Sequence, residues 1–437
     1  MRSAATEGPY VGLRPFFAHD SKYFFGRDRE IRIVQANVLT TPLWLIYGPP
    51  GVGKTSLVRA GVLPGLETKE NTAVVVFSDW DGGLFESRFR AATAAAVEST
   101  TGKRVEIDQK CPLDEFILGI CSLYGCSLLL VLDQFEEHLR FGGLPLRQSF
   151  DRALERSVTS EDNDLKVLLI LQEEHLGELA RFRRIRLDPV ANGTRLLHLD
   201  YSQAANAIHG ALQGYAVGAD SGPTYAEPQL VHAILDSIQS ATEMCEPFAI
   251  RESEKRYAGG LLQMVMTRLW LMEARRNSRV LHLETFEQWN ARHDIVRAYL
   301  EEAMAELDAS EQEACIRLFP SLVRMRGGRL TRDLKSIAWS DATLPADHMR
   351  SLLHKLVESR ILTVASPTEE QPPTERYGVV SDILVGSIHA WTSEYHDRKL
   401  QEQLRRLEEQ IQGLKRGRLF WIGIAVLASA LTFAVSK

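Results

Sequence analysis

The run Gly48-Pro49-Pro50-Gly51-Val52-Gly53-Lys54-Thr55 has the residue types and spacing that cradle phosphate. It fits G-x-x-x-x-G-K-[ST] and follows an apolar run and precedes a short helical one, Ser56–Ala60. The glycines let the backbone curl so that N–H groups converge on phosphate oxygens, at a helix N-terminus whose dipole favours anions. In that chemistry Lys54 neutralises the β- and γ-phosphates and the Thr55 hydroxyl is a ligand for Mg²⁺. Ser56 counts with the loop as a nucleotide-binding candidate. The second requirement is a carboxylate at the end of a neighbouring strand, and Leu128-Leu-Leu-Val-Leu132 followed by Asp133 supplies it. Asp133 is the metal-associated candidate. Glu136 and Glu137 follow in the phrase DQFEE, and either could orient or deprotonate an attacking water. The cofactors expected are ATP or ADP with Mg²⁺.

No other constellation competes. The twelve histidines fall in no H-E-x-x-H or similar metal spacing. Five scattered cysteines (Cys111, Cys121, Cys126, Cys245, Cys315) include no C-x-x-C pair, which fits reduced intracellular thiols and neither a disulfide scaffold nor a zinc site. Asp220-Ser221-Gly222 lacks the histidine context of a serine nucleophile and reads as a turn.

These residues need elements to position them. At 437 residues the chain is long enough for about three domains. Its 45% hydrophobic and 25% charged residues exclude wholesale disorder. The balance of 51 Lys+Arg against 57 Asp+Glu, a net charge of −6, gives bulk electrostatics no argument for nucleic acid as a partner. Short apolar runs at Leu43–Tyr47, Ala73–Phe77, Leu128–Leu132 and Lys166–Leu171, with a weaker one at Arg195–Leu199, alternate with helical patterns such as Leu84–Glu98 and Leu144–Val158. That is the outline of a parallel α/β sheet covered on both faces.

The fold class expected is therefore an α/β P-loop NTPase of ASCE/AAA-like type over residues 26–200, behind an N-terminal segment of residues 1–25. An all-α helical domain follows over 201–300, broken by polar loops at Gly218–Pro223 and Glu243–Pro247. Residues 305–395 read as a winged helix: helices Ser310–Met325, Thr331–Ile337 and His348–Glu358, then a hairpin of Ile361–Ala365 and Arg376–Val380. Arg324, Arg326, Arg329, Arg332 and Lys335 could face phosphates, but Glu369, Glu370 and Glu375 in the wing would repel them, which disfavours nucleic acid.

No secretory signal opens the chain, and the membrane signal lies at its other end. Leu419–Val435 is 17 residues without a charge, preceded by Lys415, Arg416 and Arg418. This predicts a single transmembrane helix with the bulk of the chain cytoplasmic and the lipid bilayer as a partner. Ahead of it, over 396–418, Leu400, Leu404, Leu407, Ile411 and Leu414 follow 4-3-4-3 spacing, an a/d seam two heptads long. Such a seam serves either an amphipathic stalk helix packing on the body or a homo-oligomeric stalk.

In this order, these motifs resemble the STAND class of signal-transduction P-loop ATPases, and most closely the bacterial novel STAND group. The resemblance covers about residues 9–395. It is carried by Tyr10-Val-Gly-Leu-Arg-Pro-Phe16, Tyr23-Phe-Phe-Gly-Arg27 with Glu30-Ile31, and Lys54-Thr-Ser-Leu-Val-Arg-Ala-Gly-Val-Leu-Pro64. Asp133-Gln-Phe-Glu-Glu137, Gly260 to Trp270 and Val380 to Trp391 complete it. The resemblance implies a nucleotide-binding core with a helical domain and winged helix closing over it, Gly26 and Arg27 near the adenine end, and ADP holding a closed monomer that ATP opens for assembly. It also implies signalling, in defence or stress, with a homo-oligomer on activation. Two positions depart from the family. Gln172 stands where an arginine often reads the γ-phosphate, and Ser381-Asp382 where a His-Asp pair is common. A neutral amide cannot supply an arginine's charge to a transition state, so hydrolysis is expected to be slow or absent with binding retained. With the loop beginning at Gly48 and no repeat array after the winged helix, output is expected from the stalk and membrane segment, or from a sensor or effector partner protein. The alternatives are an origin-recognition-like ATPase that binds nucleic acid through its winged helix, and a membrane scaffold with a degenerate ATPase core.

Overall fold

The computed structural model describes the backbone of residues 8–435 except 67–70, 81–84, 142–143, 161–164, 183, 186–187, 219–220, 246–254, 290–294, 324–330, 334–345, 366–375 and 382. The side chains of 141, 144–147, 240–245, 331–333, 346, 365, 376 and 410–435 also lie outside the described set. Asp382, the basic residues from Arg324 to Lys335, the acidic wing, Asp220 and the side chains of the apolar C-terminal stretch therefore fall outside it.

Five strands form one parallel sheet: β1 (Leu43–Gly48), β2 (Thr72–Phe77), β3 (Ser127–Leu132), β4 (Leu165–Gln172) and β5 (Gly193–Arg195), in the order β2-β3-β4-β1-β5. Because side chains alternate along a strand, each run feeds both faces. Leu43 and Leu45 join Leu128, Leu130, Val167 and Leu169 on one face, and Trp44 and Ile46 join Leu129, Val131, Leu168 and Ile170 on the other. The second face is covered by α1 (Asp28–Val38) and by α2 (residues 54–66), the helical run after the phosphate loop. The first face is covered by α3 (Phe85–Thr101), α4 (Leu113–Tyr124), α5 (Phe135–Phe141) and α6 (Leu144–Thr159). Two covered faces explain why these strands read as unbroken apolar runs.

Three local expectations are corrected. The weak fifth strand is Gly193–Arg195, not Arg195–Leu199. Leu196 donates its N–H to the Tyr47 carbonyl at 2.7 Å and Leu199 forms an antiparallel bridge with Tyr257, so these apolar residues are buried by crossing the sheet end and not by a longer ladder. Helix α2 begins at Lys54 and not Ser56, and runs as Lys54–Ser56, a π-helical Leu57–Val62 and Leu63–Leu66. Pro64 has no N–H to return to Ala60, and the ladder widens in the turn before it. The expected helix Thr331–Ile337 starts as a strand, β8 (Thr331–Asp333), because pairing with the last strand of the hairpin outweighs local propensity.

After the sheet come α7 (Tyr201–Ala216), β6 (Tyr225–Ala226), α8 (Pro228–Cys245), α9 (Gly259–Arg275), β7 (Val280–Leu281), α10 (Leu283–Trp289) and α11 (Ile295–Ala305). Helix α8 overruns the expected break at Glu243, and the β6–β7 pair is a parallel contact that the sequence pattern did not signal. Then α12 (Ala309–Leu322), β8, α13 (Ala346–Glu358), β9 (Leu362–Ala365) and β10 (Arg376–Val379) form a helix–strand–helix–hairpin unit with antiparallel order β8-β10-β9, a winged-helix outline. One apolar core runs through both regions and takes in Tyr10 and Leu13 from the N-terminal segment.

The last helix, α14 (Ile383–Val435), has two unlike parts. Leu384, Val385 and Ile388 are buried in the shared core, and Arg297 of α11 holds Glu394 through two bonds of 2.9 and 2.6 Å. Farther on, Leu400, Leu404 and Leu407 are exposed, at 56%, 52% and 53%, so this stretch does not pack on the body. Among the described residues no helix is long and apolar enough to cross a membrane; the side chains of the 419–435 stretch are not among them.

Candidate nucleotide site

The strand order sets the C-terminal ends of β3, β4, β1 and β5 side by side, with Gly48 level with Gln172 and Tyr47 level with Arg195. From Gly48 the loop turns through Gly51 (φ +71°) and Gly53 (φ +98°) into α2. At Gly53 the backbone lies where a side chain is strained whatever the space around it, which is why this position is glycine. Lys54 Nζ donates to the carbonyls of Gly48 and Pro49, both at 2.9 Å, bracing the loop it serves.

Thr55 Oγ1 donates to Asp133 Oδ1 at 3.1 Å, joining the loop to the end of β3. Asp133 is 2% exposed. Its carboxylate also accepts from the Gln134 N–H at 3.0 Å, its own N–H donates to Phe77 O at 2.8 Å, and its carbonyl accepts from Trp80 Nε1 at 2.8 Å. Burial pushes the Asp133 carboxyl above the usual carboxylate range, against the opposing pull of Arg59, Thr55, the Gln134 amide and Lys54. A desolvated carboxylate beside a hydroxyl is a hard-oxygen donor set short of positive charge, and it fits Mg²⁺ next to a phosphate. When bound, the ion would supply charge neutralisation at the phosphate oxygens.

The two glutamates that the sequence left equivalent have different surroundings. Glu136 is buried and its Oε2 accepts from the Gln172 N–H at 3.3 Å, which faces it to the same sheet edge. Burial raises its carboxyl too, opposed by its own backbone amide and Lys54 and reinforced by Asp133 and Glu137. Glu137 lies 3.8 Å from Arg140, and Arg140 meets His175 Nε2 at 2.7 Å.

Gly26 and Arg27 sit behind the loop. Arg27 is buried; it donates to the Val52 carbonyl at 3.1 Å and to Glu30 at 3.1 Å, and burial lowers its pKa against the pull of Glu30. Glu30 in turn accepts from Gln203 on α7 at 3.0 Å. Gly26 (φ +86°) allows the contact: a Cβ there would lie 2.3 Å from the Gln203 carbonyl. Ser56 Oγ accepts from the Phe16 N–H at 3.2 Å, so its hydroxyl is engaged by the N-terminal segment.

Several residues at this site escaped sequence reasoning. Arg59 lies one turn after Thr55, acts on Asp133 and stacks 5.3 Å over the Phe17 ring; the i+4 spacing was its available signal. Trp80 had none, since its partner is 53 residues away. Ile383, the first residue of α14, lies where a Cβ on Gly51 would be 3.5 Å from its Cγ1 and Cδ1. The bond between Arg195 and Glu173, 3.0 Å, spans β1 on the Tyr47 face of the sheet.

No curated protein matches the chain. Among solved structures it is similar to the ORC1 protein of Aeropyrum pernix in complex with DNA, at 16% identity and TM-score 0.40 over 85% of this chain and 93% of that one. It is similar to a Walker-type ATPase of Pyrococcus abyssi, at 14% identity and TM-score 0.42 over 86% and 99%. The ORC2 protein of Aeropyrum pernix in ADPNP–ADP complexes gives 13% identity and TM-score 0.43 over 84% and 95%. The sequence matches the family described as Novel STAND NTPase 1 over residues 9–417. With a phosphate loop, a strand-end Asp133 and a parallel sheet holding them together, the chain belongs to the novel STAND NTPase family.

Proposed function

We propose that this protein is an ATP- and ADP-binding conformational switch of the STAND type, held to a membrane by its C-terminal segment and self-assembling when ATP replaces ADP. The observation that carries it is the seat of Ile383 beside Gly51, 3.5 Å from where a Cβ on that glycine would stand, and against Gly260 of α9. The helix that leads to the C-terminus starts beside the phosphate loop. A ligand that alters the loop therefore acts directly on the seat of α14. Such a ligand moves the equilibrium only by its differential affinity for the two states, so the γ-phosphate must be accommodated better once Ile383 has left.

In this scheme Lys54 and the loop amides hold the phosphates, Thr55 and Asp133 hold Mg²⁺, and Glu136 orients water. The winged helix closes the site, and the exposed leucines of α14 are the surface that assembly covers. Neutral Gln172 keeps hydrolysis slow. The apolar stretch 419–435 with its basic flank supports the anchor.

The test is the mass of the full chain in detergent, by sedimentation, with ADP and then with a non-hydrolysable ATP analogue plus Mg²⁺, beside Lys54→Ala. An ATP-specific rise that the variant lacks is expected; equal mass in both nucleotides would defeat self-assembly. Fractionation checks the anchor, which fails if the full chain is as soluble as one lacking 419–435.

A further inference from the structure

We propose that residues 8–17 are a strap that ties the helix of the phosphate loop to the winged helix, and that Arg360, latched over Gly12, keeps the ADP-bound form closed. The proposal rests on the nucleotide-switch reading above. It names a second contact, separate from Ile383, through which that switch acts.

The segment is fastened to three parts of the molecule. The first is α2: the Phe16 N–H donates to Ser56 Oγ at 3.2 Å, Val11 and Phe16 pack with Ala60, and the Arg59 guanidinium lies 5.3 Å over the Phe17 ring. The second is the helical region. Tyr10 donates its hydroxyl to the Ile208 carbonyl of α7 at 2.9 Å, and the Val11 N–H donates to Gln263 Oε1 of α9 at 3.2 Å. The third is Arg360, in the turn between α13 and β9. A Cβ on Gly12 would lie 2.8 Å from Arg360 Nη1 and 3.3 Å from its Cδ.

The backbone at Arg360 shows why this contact is more than packing. The Arg360 N–H donates to Val357 O at 3.0 Å and the Ile361 N–H to Leu356 O at 2.9 Å, the paired bonds that close a helix on a left-handed residue. That position is usually glycine, yet here it is an arginine at φ +59°. A side chain held where glycine would sit at lower cost points to a contact that the side chain serves. What it meets is Gly12, also left-handed at φ +69°, so the strap turns at the place where the arginine arm lies against it.

The strap reaches the nucleotide through consecutive residues. Lys54 and Thr55 hold phosphate and Mg²⁺ in this reading, and Ser56, which anchors Phe16, comes next on the same helix. A ligand that re-aims Lys54 and Thr55 shifts Ser56 and pulls on the strap. At the winged helix, Arg360 then leaves its seat over Gly12.

The experiment follows amide hydrogen exchange over residues 8–17 in the full chain, with ADP and then with a non-hydrolysable ATP analogue plus Mg²⁺. Release of fluorescent ADP and thermal stability are measured beside it for wild type, Arg360→Gly and Tyr299→Phe. In wild type the ATP analogue is expected to speed exchange over 8–17 about fivefold. Arg360→Gly removes the latch and relieves the left-handed side chain together, and is expected to release ADP about fivefold faster. Tyr299→Phe is the control for simple loosening, because it strips the 2.9 Å bond to the Ser359 carbonyl in the same turn and keeps Arg360. It is expected to lower Tm and leave ADP release within about twofold. ADP release from Arg360→Gly at the wild-type rate, or no faster than from Tyr299→Phe, overturns the latch. Should Arg360→Gly not fold, the wild-type exchange decides alone. A rise in mass with the ATP analogue while exchange over 8–17 stays the same overturns the strap and leaves the switch standing. If the analogue changes neither the mass nor exchange anywhere in the chain, the switch reading fails and the strap with it.

Discussion

The phosphate loop is held from two sides by unlike means. On the sheet side, Thr55, the Gln134 amide and Trp80 donate to the buried Asp133 at 2.8 to 3.1 Å, and the buried Glu136 accepts from the Gln172 amide at 3.3 Å. On the winged-helix side the loop meets an isoleucine against a glycine. A buried polar lock has a defined geometry and is expensive to open, because each broken bond leaves a desolvated donor or acceptor. An apolar contact is non-directional, and its loss orphans nothing. The side that must hold chemistry is polar and fixed; the side suited to letting go is apolar.

The contrast can be broken at either side. The largest effect is expected for Asp133→Asn, which should abolish Mg²⁺-dependent tightening of nucleotide, read by titration with and without the ion. The same substitution should raise the thermal stability of the nucleotide-free protein. Burial raises the Asp133 and Glu136 pKa values in the fold, so protons bind the folded chain more tightly than the unfolded one. Stability from these groups is then full below the ordinary carboxylate pKa and is lost as pH rises through the raised values. Since only the ionised carboxylate binds metal, the rise in Tm caused by Mg²⁺–ADP should grow as pH rises from the ordinary carboxylate range through the raised values. A Tm rise that is flat across that range would contradict the desolvated-carboxylate account.

Next in size is Trp80→Phe. It keeps the aromatic packing with Phe77, Phe135 and Phe150 but strips the donor from the Asp133 carbonyl. A loss of about 1–2 kcal/mol is expected in denaturant unfolding, with weaker Mg²⁺ response. Ile383→Ala should cost the fold about 1 kcal/mol, since the residue is only partly buried, yet speed release of fluorescent ADP several-fold. Release at the wild-type rate would show that Ile383 is not the seat of α14. The smallest effect on stability, within about 0.5 kcal/mol, is expected for Leu404→Glu, where the side chain is already in solvent. Its consequence should appear only in the mass of the ATP-bound assembly.

Legibility from sequence followed the range of the interaction. Strands β1 to β4 were found to within a residue because burial on both faces writes itself as a local apolar run. The phosphate loop and Asp133 were legible because their chemistry demands fixed residue types at fixed offsets. β8 was misread as helix because its strand state depends on Arg376–Gly378, over 40 residues on. The choice between Glu136 and Glu137 was closed to sequence reasoning for the same reason: it turns on the amide of Gln172, 36 residues away.

By itself, then, the order of residues determined that this chain carries a phosphate loop on a parallel sheet, followed by helices and a winged-helix outline, with a leucine seam near its end. Those properties are set by periodicity, turn chemistry and motif spacing, which act within a few residues. Only the tertiary structure decided that Asp133 is desolvated, that Glu136 and not Glu137 faces the sheet edge, that Arg195 and Glu173 meet across β1, and that Ile383 rests on Gly51. Each of these depends on which distant strands and helices become neighbours, and that is fixed by the packing of the whole core.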